Sequence, residues 1–73
     1  MISRELYKSL VQKYEAEIQG YKTTLMIYFQ NPVGIGDHAE HLNEMDKLLS
    51  EMSSADDKLK TLKEYFVKED SRL

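Results

Sequence analysis

The chain contains no cysteine, which excludes disulfides and thiolate metal sites and leaves its redox compartment open. One proline and three glycines are all the backbone punctuation available in 73 residues. No run of 18 apolar residues occurs, and no charged-then-apolar leader, so neither a membrane span nor a signal peptide is expected. A soluble, cytoplasmic protein follows as the expectation. The net charge of −3 argues against nonspecific nucleic-acid binding, which depends on neutralising phosphates with Lys and Arg.

Length sets the next constraint. A domain of this size buries only about 60% of the surface its unfolded chain exposes, so one domain over residues 1–73 is marginal by itself. Small folds are usually completed by disulfides, a metal or a partner. Without cysteine, pairing is the most economical of these. Charge is also unevenly spread. Residues 1–30 carry four basic and three acidic side chains, and residues 31–73 carry six basic and ten acidic. The acid gathers between Asp37 and Asp57; the excess base follows at Lys58, Lys60, Lys63, Lys68 and Arg72.

Against this background one pattern is regular. Tyr7, Tyr14, Tyr21 and Tyr28 recur every seven residues, with Val11, Ile18 and Leu25 between them. Alternating steps of four and three define a heptad seam, aliphatic at position a and tyrosine at position d. Ser3 suits an N-cap and Glu5 suits the first turn of a helix over about 4–29. Asn31-Pro32 ends it, because the residue before proline is pushed from helical angles and proline lacks the next donor. Gly34 and Gly36 then allow the chain to reverse.

A second helix is expected over about 38–69. Asp37 and Glu40 fit a cap with a carboxylate at the third helical position. Leu42, Met45, Leu49, Met52, Ala55, Leu59, Leu62 and Phe66 form its apolar stripe, with one four-residue step missing near Ser53. That irregularity resembles a stammer. Ser53 with Asp56, or Ser54 with Asp57, could start a third helix there. Against a break, no Gly or Pro occurs after Gly36, and acids early with bases late suit one macrodipole.

The expected fold is therefore all-α: a long antiparallel two-helix hairpin, with Phe66 returning near Ile2 and Leu6. Leu10, Ile27, Phe29, Leu48 and Tyr65 widen the apolar stripes beyond what one partner helix covers. A homodimer forming a four-helix bundle is the expected remedy.

Several features could carry more than packing. The tyrosine ladder reads first as core, each ring buried and each hydroxyl reaching the bundle edge. Its alternative is an exposed recognition stripe. The loop Asn31, Pro32, Val33, Gly34, Ile35 and Gly36 reads first as a shaped turn whose Val33 and Ile35 cap the apolar core. Its alternative is a partner-docking tip. Anion binding has little support there, since Asp37 would repel phosphate and no Lys or Arg is near. Asp37, His38, Glu40, His41 and Glu44 offer metal-ligand types, but first turns of helices attract acids on electrostatic grounds alone. No metal, cofactor or catalytic residue is assigned, because paired carboxylates on a solvated helix form no cleft.

The stretch Asn-Pro-Val-Gly-Ile-Gly-Asp-His at 31–38 resembles a turn in small helical proteins of tailed phages, notably those infecting marine cyanobacteria. A Tyr-rich first helix and an acidic second helix carrying Asp56-Asp57-Lys58-Leu59 extend the resemblance over most of the chain. It implies a phage accessory protein acting in the host cytoplasm by binding something, and it supplies no functional residues. The functional expectation is a non-enzymatic interaction or scaffold protein that pairs with itself and docks a protein. The alternative is a regulator of nucleic-acid metabolism: an acidic inhibitor of a DNA-binding protein, or a Rop-like RNA binder using Lys58, Lys60, Lys63 and Lys68.

Overall fold

The computed structural model of the protein describes residues 3–30 and 38–70. They form two α-helices, α1 over Arg4–Gln30 and α2 over His38–Asp70, with no strand among the described residues. Packed against each other they make an all-α helical hairpin 55 Å long and 15 by 13 Å across. Its radius of gyration, 16.5 Å, compares with about 11 Å for a compact domain of this length. The molecule is a rod.

The start of α1 is set by Ser3. Its side-chain oxygen accepts from the Leu6 N–H at 3.2 Å, and its carbonyl accepts from the Tyr7 N–H at 3.0 Å. This is an N-cap satisfying a donor that the helix itself leaves open. The helix runs 27 residues and stops at Gln30, directly before Asn31-Pro32. The loop residues Asn31 to Gly36, and the expected cap Asp37, lie outside the described residues. So does Ile2, which was expected near Phe66.

The second helix is continuous for 33 residues, passing through Ser53 and Ser54 without interruption. The missing step disappears because the seam runs elsewhere than expected. The residues α2 turns inward are His41, Met45, Leu48, Met52, Ala55, Leu59 and Leu62, with Asp56 half-buried beside them. Their steps alternate four and three throughout, so α2 carries an uninterrupted heptad, with Met45, Met52 and Leu59 at a and His41, Leu48, Ala55 and Leu62 at d. Leu42 and Leu49, assigned to this seam from the sequence, are exposed and lie one position off it. Phe66 is partly exposed at the open end. In α1 the inward residues are Tyr7, Val11, Tyr14, Ile18, Tyr21, Leu25 and Tyr28, with Glu17 beside them.

Three contacts fix the register. The Tyr28 ring meets His41 edge-on at 5.7 Å, Tyr21 hydrogen-bonds Glu51, and the Lys58 ammonium lies 5.9 Å from the centre of the Tyr14 ring. One heptad further on, Tyr7 comes level with Tyr65. The deepest hydrophobic positions are Leu25, 7% exposed, and Ala55, 2% exposed. They are the only buried hydrophobic side chains among the described residues.

Candidate interaction surface

The antiparallel register gives the hairpin two unlike flanks. In an antiparallel pair, the g positions of one helix run beside the g positions of the other, and e beside e. Position d lies toward g and position a toward e. Hence the tyrosines of α1 lean to one flank and Val11, Ile18 and Leu25 to the other. We refer to these as the tyrosine flank and the aliphatic flank.

Polar contacts line the middle of the tyrosine flank. Glu51 and Lys58, both at g of α2, reach the Tyr21 hydroxyl and the Tyr14 ring. Lys13, at c of α1, lies 5.9 Å from the same Tyr14 ring and pairs with Glu17, at g. Two ammonium groups therefore sit at cation–π range of one tyrosine. The hydrogen bond from the Tyr21 phenol to the Glu51 carboxylate pushes the Tyr21 pKa above the usual tyrosine value, with desolvation and the charges of Glu51 and Glu17 adding to it. Glu17, by hydrogen bond and charge, likewise raises Lys13. Exposed ion pairs of this kind contribute little to stability. Their effect here is to give the edges of Tyr14 and Tyr21 polar company in the middle of this flank, while Leu6, Leu10, Ile27 and Tyr65, at c and g, stay exposed toward its two ends.

The aliphatic flank is different. By heptad position Met26 (b) and Phe29 (e) of α1 stand there beside Leu42 and Leu49 (both e) of α2. Their exposures are 44%, 72%, 67% and 57%. The register brings all four to the loop end of the rod. No interhelical hydrogen bond or ion pair crosses this flank among the described residues apart from any made by Arg4; the Asp56–Lys60 pair, at 3.1 Å, lies within α2. Leu42 and Leu49, one heptad apart, make a stripe parallel to the seam and outside it. Apolar character alone sets these two leucines within the hairpin, whereas both are exposed. The signal that could have separated them is His41: admitting it to the seam moves Leu48 in and Leu49 out.

His41 has its ring against Tyr28, and His38 and Asp37 fall outside the described side chains, so the residues considered as metal ligands are not brought together as a set. No group of three or more His, Cys, Asp or Glu side chains suited to a metal occurs among the described residues. Of the basic residues considered for RNA, Lys58 is turned to Tyr14 and Lys60 is paired with Asp56, on different faces of α2. No helix is long and apolar enough to cross a membrane among the described residues.

No family model matches the chain, and no curated protein or solved structure matches it either. The functional reading therefore rests on the surface itself.

Proposed function

We propose that this protein is a non-enzymatic helical interaction module, a self-pairing scaffold that works by protein binding. In the setting its phage-like turn implies, it is an accessory protein acting inside an infected cell. One observation carries the reading. Two hydrophobic side chains are buried among the described residues, whereas nine large ones, from Leu6 to Phe66, are exposed. Isolated exposed leucines are ordinary on protein surfaces, but so little core beside so much exposed apolar surface is the pattern of an incomplete fold.

Area supports the same view. The chain exposes 5768 Å², whereas a compact monomer of 8.6 kDa exposes about 4,700 Å². The excess is on the order of 1,000 Å², and one partner in a standard stable interface gives up about 800 Å². The nucleic-acid reading has less support, since Lys58 and Lys60 are engaged within the chain and diverge around α2.

The test is the mass in solution, measured by sedimentation equilibrium over a hundredfold range of concentration. A self-pairing module gives twice the chain mass at the upper end and dissociates on dilution. A particle of 8.6 kDa throughout contradicts the proposal.

A further inference from the structure

We infer that the aliphatic flank at the loop end, formed by Met26, Phe29, Leu42 and Leu49, is the surface on which a second copy of this chain docks about a two-fold axis. This deepens the self-pairing proposal by assigning it a face, and it rests on that proposal.

The first ground is the asymmetry between the flanks. On the tyrosine flank Glu51, Lys58, Lys13 and Glu17 surround the rings, and docking an apolar surface there would strip water from four charges. On the aliphatic flank the cost is small, because the four central side chains carry no charge. Leu42 and Leu49 recur at one heptad, and Met26 and Phe29 are spaced three apart, the spacings at which one helix pair receives another in a bundle.

Charge at the margin supplies the second ground. Lys22, at e of α1, and Asp46, at b of α2, flank the apolar stripe on opposite helices. Neither forms an ion pair within the chain among the described residues. A two-fold interface sets the same patch against itself, so that a residue of one copy meets a different residue of the other and the reverse. A two-fold arrangement that lays α1 of each copy over α2 of the other brings Lys22 toward the partner copy's Asp46. The patch is complementary to itself, which selects a second copy over a partner of other chemistry.

The third ground is size. The excess exposed area, on the order of 1,000 Å², matches what a dimer of standard interface would remove from each copy.

Five variants of the full chain test this, each checked by circular dichroism for helix content and by sedimentation for mass. Leu42→Glu and Leu49→Glu put a carboxylate into the proposed interface; both sites are exposed in the single hairpin, so helix content stays unchanged. Each substitution enters a two-fold interface twice, and weakening of the dimer on the order of 100-fold is expected. Leu6→Glu, on the tyrosine flank at the far end, leaves the dimer constant within about twofold. Lys22→Glu weakens the dimer, and adding Asp46→Lys to it restores pairing.

Two failures are distinguishable. If the unaltered chain is monomeric throughout, self-pairing itself is wrong and the assignment falls with it. If the unaltered chain is dimeric and Leu42→Glu and Leu49→Glu leave it so, while Leu6→Glu dissociates it, self-pairing stands and this face is the wrong one.

Discussion

Tyr21 on α1 hydrogen-bonds Glu51 on α2 across the tyrosine flank, and this bond holds the phenol protonated above its ordinary range. The bond couples register to ionisation, because only the antiparallel alignment found here brings the two groups together. It also gives the hairpin a pH signature.

Because folding raises the Tyr21 pKa above its ordinary value of 10.0, the stabilising contribution is complete below that pH and is lost as pH climbs through the folded value. Lys13, raised above 10.5 by Glu17, acts in the same sense. The thermal midpoint should therefore fall as pH rises above 10.0, and Tyr21→Phe should flatten that fall. Thermal scans of both proteins between pH 8 and 11 make the comparison. An equal slope in the two would mean that the Tyr21–Glu51 bond contributes nothing.

The Ser3 cap is also open to measurement. Replacing Ser3 with Ala removes the acceptor for the Leu6 N–H and should cost about 1 kcal/mol in urea unfolding, while Ser3→Asp should cost almost nothing. Loss of the same amount in both variants would assign the effect to something other than capping.

Gly20 lies in the interior of α1, and a Cβ added there meets nothing within 4 Å. The Thr24 hydroxyl donates to the Gly20 carbonyl at 3.1 Å, a bond an alanine at 20 leaves intact. Gly20→Ala should therefore stabilise the hairpin by about 0.5–1 kcal/mol through backbone entropy and helix propensity. Equilibrium unfolding in urea gives the sign directly, and destabilisation would mean that the exposed glycine is contacted by something.

Leu48 and Leu49 are neighbours with opposite duties. Leu48 faces the seam and Leu49 is exposed beside it. Leu48→Ala should lower stability by about 2 kcal/mol at every protein concentration, the low end of the range for a core leucine. Leu49→Ala should weaken the protein only where copies pair, so its effect should vanish on dilution. The reverse pattern would restore the seam first read from the sequence.

That pair also shows how much the sequence discloses. The first seam is legible because four tyrosines and three aliphatic residues keep one spacing from Tyr7 to Tyr28, and Asn31-Pro32 gives α1 its end. The second seam is harder to read. His41 is polar and looks like a surface residue, and the adjacent leucines 48 and 49 permit two phases that differ by one position. Choosing Leu49 forces the apparent stammer at Ser53; choosing Leu48 removes it. Only packing against Tyr28 decides, since it turns the His41 ring inward. The difference between the flanks was not legible at all. It arises when the register sets Glu51 and Lys58 beside the tyrosines, and no local pattern within either helix specifies that alignment.

Ser53 and Ser54 offer the most direct test of the central claim, that copies pair through the aliphatic flank. They are exposed neighbours on α2, Ser53 at b toward the aliphatic flank and Ser54 at c toward the tyrosine flank. The natural chain has no cysteine, so Ser53→Cys and Ser54→Cys each introduce a single thiol. Treated with a short bismaleimide at a concentration where the protein pairs, Ser53→Cys should give a covalent dimer in high yield and Ser54→Cys should not. Efficient cross-linking through position 54, with little through 53, would contradict the account.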